Sequence, residues 1–252
     1  MLPKLSFPRF CLLTESTRAN ERMFLRVIFN YSLLSTALAK ILITSGPTRQ
    51  YLDPVRYLTN ASSGRMGVAL AEACLELGHD VVIVSGPVSV RYPSAARVVA
   101  VTTTDEMLAA AIEEFATCEG AIGAAAPCDY QPQQVAKSKI SKTGEPLIIH
   151  LIETADVVAT LGQSKCDRQW VVGFALETDD RRFRAIVKLE KKHCDLIVSN
   201  GPSAIDAETN SVELLAADGS LVGEFSGTKE SVARSLVNEI DARLIRRKTL
   251  SP

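Results

Sequence analysis

Residues 41–67 read ILITSGPTRQYLDPVRYLTNASSGRMG, and they decide the fold. Ile41-Leu42-Ile43-Thr44 is a short apolar run that stops at Ser45-Gly46-Pro47. Such a run, bounded by turn residues, predicts a strand buried on both faces. From Gly67 to Leu77 the apolar residues Val68, Leu70, Ala71, Cys74 and Leu75 recur near one face, which predicts a helix ended by Gly78-His79. Val81–Val84 is a second strand, again followed by Gly-Pro, and Val98–Val101 a third. Thr103 and Glu106 form a capping-box signature for a helix to about Phe115. Strands follow at Ala121–Ala126, Leu147–Ile152, Val171–Ala175 and Asp195–Val198, with helices over Ala155–Leu161 and Asp179–His193. Asp218-Gly219 between Val212–Leu215 and Leu221–Glu224 signals a hairpin, and a last helix runs from Lys229 to Leu244. Repeated βα units with continuously apolar strands predict an α/β fold. It is a Rossmann-like parallel sheet, helices on both faces, with a late β-hairpin extension.

Composition narrows the function. Lys and Arg total 28 against 29 Asp and Glu, giving a net charge of −1. That balance supports neither a nucleic-acid coat nor a polybasic membrane contact. Cys11, Cys74, Cys118, Cys128, Cys166 and Cys194 contain no Cys-x-x-Cys pair and read as reduced thiols of a cytoplasmic protein. Residues 1–39 form an N-terminal extension, residues 40–247 the domain, and residues 248–252 a tail. The segment Met23–Ala37 is too short and too polar for a membrane span. Ala37-Leu38-Ala39 offers a signal-peptide site as the competing reading.

In open parallel sheets, ligands bind beyond the carboxyl ends of the strands. After the first strand, Ser45 and Gly46 lead to Asn60-Ala61-Ser62-Ser63-Gly64, which opens a helix. Small residues there let backbone N–H groups approach an anion, although a turn with ordinary caps reads the same way. The loop is too long for a dinucleotide fingerprint, and Ser85-Gly86-Pro87 puts no acid after the second strand. An NAD(P) oxidoreductase is therefore disfavoured. Gly123-Ala124-Ala125-Ala126 at the end of the fourth strand leaves room for a ligand, and Asp129 is placed to take ribose hydroxyls; close packing explains the same small residues. Lys137, Lys139 and Lys142 suit a triphosphate or a solvated surface. Phe174 suits a base or a core. Lys188 and Lys192 project from one helix face, with Lys191 beside them.

The order of these segments resembles the phosphopantothenoylcysteine synthetase family. The resemblance rests on ITSGPTRQYLDPVRYLTNASSGRMG, AAAPCDY, the Lys-Ile-x-Lys loop at Lys139, VGFALET, and the lysine helix leading to Asp195–Asn200. It covers nearly all of residues 41–244. It implies a ligase that joins L-cysteine to 4′-phosphopantothenate through an acyl-CMP intermediate in coenzyme A biosynthesis. CTP is the implied co-substrate, with Mg2+, and an ATP-using ligase or a non-catalytic nucleotide sensor are the alternatives. By the same resemblance Asn60 contacts the acyl group and Lys139 the triphosphate. Gly123, Ala124, Ala125, Asp129, Ala155, Asp156, Val157, Val158, Phe174, Lys188 and Lys192 bind the nucleotide. Ser45, Gly46, Ser62, Ser63, Gly64 and Lys142 form the phosphate and substrate loop. Ser141 stands where a third lysine is usual. Many bacterial relatives are fused behind a flavin-dependent decarboxylase. The length implies a stand-alone bacterial synthetase without FMN, acting as a cytoplasmic homodimer whose late strands, near Asp218, cross to the partner.

Overall fold

A computed structural model describes residues 38–176, 180–201 and 209–246. The expected extension and tail lie outside these, apart from Leu38 and Ala39. Six strands run parallel: β1 (Lys40–Ser45), β4 (Asp80–Ser85), β5 (Arg97–Ala100), β6 (Gly120–Gly123), β9 (Trp170–Leu176) and β10 (Leu196–Asn200). Two more, β11 (Thr209–Ala216) and β12 (Leu221–Thr228), add antiparallel at the β10 edge. The sheet order is β12-β11-β10-β9-β6-β1-β4-β5. The chain leaves β1 for β4 and β5 on one side, then returns to β6, β9 and β10 on the other. That reversal opens a crevice beyond the carboxyl ends of β1 and β6.

Helices α1 (Arg65–Glu76), α2 (Thr104–Phe115), α3 (Val157–Ser164), α4 (Arg181–Lys191) and α5 (Lys229–Ile240) cover the sheet. One face packs Leu42, Val82, Val84, Ala121, Val171 and Ile197 against Met107, Phe115, Leu161 and Leu189 of α2 to α4. Helices α1 and α5 pack together on the other face. The capping box at Thr103 is formed, with the Thr103 hydroxyl accepting from Glu106 N–H and the Glu106 carboxylate accepting from Thr103 N–H.

Three sequence expectations change. The run Leu147–Ile152 yields only β8 (Leu151–Glu153), which pairs with β7 (Tyr130–Pro132) outside the main sheet. Its apolar residues are exposed, so they do not mark a core strand. The loop after β1 folds its own hairpin, β2 (Arg49–Tyr51) with β3 (Tyr57–Thr59). Arg49 stacks over the Tyr57 ring there, 4.5 Å from its centroid, a cation–π contact that period-2 patterning does not register. The last helix turns π-helical over Asp241–Ile245. No described helix is long and apolar enough to cross a membrane.

Candidate functional site

Two adjoining clefts open at the carboxyl ends of β6 and β9. The first, of about 300 Å³, is lined by Gly123, Ala125, Asp129, Ala155, Asp156, Val157, Val158, Phe174 and Lys192 among others. The second, of about 490 Å³, is lined by Asn60, Ser62, Ser63, Gly64, Ala124, Ala125, Asp129, Phe174 and Lys188 among others. Ala125, Asp129 and Phe174 belong to both, so the clefts are two compartments with a common wall.

The first compartment depends on close approach of α3 to β6. A Cβ on Gly123 would overlap the Val158 side chain, so glycine lets the N-terminus of α3 reach the strand end. Asp156 caps that helix by accepting from Ala159 N–H at 3.0 Å. Lys192 Nζ lies 3.0 Å from Asp156 Oδ2. Burial pushes the Asp156 carboxyl up, but the Ala159 amide and the Lys192 ammonium outweigh it and hold it below the usual carboxylate range. Asp156 is therefore ionised at neutral pH, and Lys192 is held at the cleft wall rather than left in solvent.

The second compartment depends on residues 60–67. Gly64 precedes α1 in a left-handed conformation, and no side chain caps the helix. Its first amides are left for solvent or a ligand. The Asn60 amide nitrogen donates to Pro127 O at 2.8 Å and more weakly to Ala126 O at 3.4 Å. The side chain is thus oriented by the loop that follows β6.

Four expected residues stand apart from these walls. Ser45 is fully buried and accepts from the Tyr92 hydroxyl at 2.8 Å. Gly46 has φ +74°, and a Cβ there would meet Val88 Cγ1 at 2.7 Å. Both shape the turn beneath the clefts. Lys139 and Lys142 are exposed and line neither cleft. Their segment is pinned nearby, where Ile140 N–H donates to Asp53 Oδ2 at 3.1 Å and the Arg56 guanidinium donates to Ile140 O.

Among the lining residues that the sequence reading did not name as site residues are Asn200, Asn210 and Lys229. Lys229 carried a usable signal. It opens the last helix, where the dipole disfavours a cation, and the fold then buries it to 7% exposure. Asn210 carried none, because its spacing is that of an ordinary hairpin strand. Cys128 lines the first cleft, and its Sγ lies 3.5 Å from Thr48 O and 3.6 Å from Leu58 O. Burial pushes the thiol up, which suits a packed donor and not a nucleophile.

Residues 36–244 match the model of the DNA/pantothenate metabolism flavoprotein C-terminal domain. The chain is 38% identical over 204 residues to the coenzyme A biosynthesis bifunctional protein CoaBC of Haemophilus influenzae, covering 80% of this chain and 51% of the relative. It is 40% identical over 210 residues to CoaBC of Escherichia coli, covering 81% and 52%. The chain thus spans about half the length of these curated relatives. A crystal structure of the C-terminal domain of a CoaBC protein superposes with TM-score 0.71 at 37% identity, covering 83% of this chain and 98% of that one. The motif order, the doubly wound sheet and the match over residues 36–244 agree: the chain belongs to the DNA/pantothenate metabolism flavoprotein C-terminal domain family, the phosphopantothenoylcysteine synthetases.

Proposed function

We propose that the protein ligates L-cysteine to 4′-phosphopantothenate in coenzyme A biosynthesis, with CTP as co-substrate. The observation that carries this reading is the pair of clefts sharing Asp129, Ala125 and Phe174. A ligation by nucleotidyl transfer needs two anions side by side, with their reacting ends at a common wall. The first cleft takes the nucleotide: Phe174 faces the base, Asp129 the ribose, and the α3 N-terminus with Lys192 the phosphates. The second takes 4′-phosphopantothenate, with its phosphate toward residues 62–64 and its carboxylate toward Asn60.

The chemistry follows from a poor leaving group. A carboxylate does not acylate an amine at neutral pH. Its oxygen attacks the α-phosphorus of CTP, and pyrophosphate leaves. The cysteine amine, once deprotonated, attacks the resulting acyl-CMP, and CMP leaves. An amide at Asn60 can donate to the carbonyl oxygen as negative charge develops there. The described residues contain no group of three or more His, Cys, Asp or Glu side chains placed to hold a metal ion. Magnesium is therefore assigned to the incoming nucleotide complex, bound largely by phosphate oxygens and water.

The same reading makes the protein a cytoplasmic homodimer. Strands β11 and β12 pair within the chain. An exposed apolar run is formed by Leu147, Ile148, Leu151 and Ile152, with Ile148 79% exposed, and this face is assigned to a second copy.

The test is pyrophosphate release with 4′-phosphopantothenate, L-cysteine and magnesium, CTP and ATP being supplied separately. Release with CTP, accompanied by phosphopantothenoylcysteine, is the expected outcome. Release with ATP alone would keep the reaction and change the nucleotide. No release with either, from folded protein that still binds nucleotide, would favour a sensor.

A further inference from the structure

Behind the shared wall of the clefts, three residues distant in sequence close a ring of hydrogen bonds. Cys128 N–H donates to the Thr48 hydroxyl at 2.8 Å. The Thr48 and Thr104 hydroxyls lie 2.8 Å apart. The Thr104 hydroxyl donates to Cys128 O at 3.2 Å. Each hydroxyl has one proton, so with that of Thr104 on the carbonyl, Thr48 must supply the proton between the two threonines. The ring therefore has one direction: amide to Thr48, Thr48 to Thr104, Thr104 back to the carbonyl of the same residue. Aligned bonds polarise one another, and both threonines are fully buried, so no water competes.

What the ring holds is one stretch of backbone. Thr154 adds a second hydroxyl to Cys128 O at 2.6 Å, and Thr154 N–H donates to Asp129 O at 2.9 Å. On one side of Cys128 is the Pro127 carbonyl that orients Asn60. On the other is Asp129, which lines both clefts. Thr48 belongs to the turn after β1 and Thr104 to the first turn of α2, so two rigid elements fix this stretch from behind. Mere packing would be met equally well by valine, which has the shape of threonine.

We propose that Thr48 and Thr104 are positioning residues for the ligation, setting Asn60 and Asp129 at the common wall through the backbone of Cys128. This rests on the ligase reading above. The experiment compares T48V, T48S, T104V and T104S with wild-type protein in the CTP-dependent ligation, each also in the Asn60→Ala background. Wild-type turnover tests the reading itself. Its absence from folded protein would overturn both claims. Given turnover, T48V is expected to lower kcat about tenfold or more, since it orphans a buried amide, and T104V less, since Thr154 still serves the carbonyl. T48S and T104S keep the hydroxyl and are expected to restore kcat to within about twofold. In the Asn60→Ala background the valine substitutions should cost less than in wild type, because the part that acts through Asn60 is already lost and only the part through Asp129 remains. Should T48V not fold, T104V carries the same comparison. A folded valine variant with wild-type kcat, serine variants as slow as valine variants, or full additivity with Asn60→Ala would each overturn the proposal.

Discussion

Asn60 illustrates how one side chain is committed before substrate arrives. One of its amide hydrogens is held at 2.8 Å by Pro127 O, while the contact to Ala126 O at 3.4 Å is weak. With only one short contact to its amide nitrogen, Asn60 keeps donor capacity for an acyl oxygen. Asn60→Ala is expected to release pyrophosphate once per site yet form product about 10²–10³-fold more slowly, the usual cost of one oxyanion donor. Burst-phase pyrophosphate and product measurements check it, and loss of the burst with CTP still bound would contradict the division. Far from the clefts, His79 is buried beneath the end of α5. Its Nδ1 accepts from Ala39 N–H at 3.3 Å, and its Nε2 lies 3.6 Å from Asp241 Oδ1. Burial pulls its pKa down, Asp241 opposes, and Arg246, paired with Asp241 at 2.6 Å, adds to the lowering. Lowering means the unfolded chain protonates first as pH falls. Stability contributed by neutral His79 is therefore full above its ordinary value of about 6.5 and declines below it. Urea midpoints between about pH 7.5 and about pH 5.5 should fall for wild type and less steeply for His79→Gln.

At the scale of elements, the segment with Lys139 and Lys142 is the least legible part. Its charge suggested contact with a triphosphate, but its position is set by Asp53, 87 residues earlier. Burial raises the Asp53 carboxyl, while the amides of Val55, Ile140 and Arg56 and the Arg56 guanidinium bring it down to about 2. The anchor is thus present above the ordinary aspartate range and is lost only as pH falls toward about 2. Asp53→Asn keeps an acceptor but loses the charge that binds Arg56. It is expected to speed limited proteolysis at Lys137–Lys142 at neutral pH, with little change in global melting. An unchanged cleavage rate would show that the anchor does not hold the segment. The βα repeats, the capping box and the hairpin at Asp218 were legible because each is written in local periodicity or turn chemistry. The β2–β3 hairpin was not, since its strands are three residues each and too short for a period.

For the whole molecule, the exposed run around Ile148 is an uncovered apolar patch that leads into β8, a strand outside the main sheet. If it seats a second copy, Ile148→Asp should shift the protein from dimer to monomer, as read by light scattering or sedimentation. A mutant that stays dimeric would place the interface elsewhere. The clefts themselves are a product of topology. Asn60, Asp129, Phe174 and Lys188 are spread over about half the chain, and they meet because β1 and β6 are neighbours where the winding reverses. The sequence by itself determined the α/β class, the strand and helix alternation and the family, because those reside in local patterns and in motif order. Only the tertiary structure decided that Ser45 and Gly46 support the clefts from beneath, that Lys139 stands off from them, and that Asn200, Asn210 and Lys229 line the second. Those facts depend on contacts between residues far apart in the chain, which no local pattern encodes.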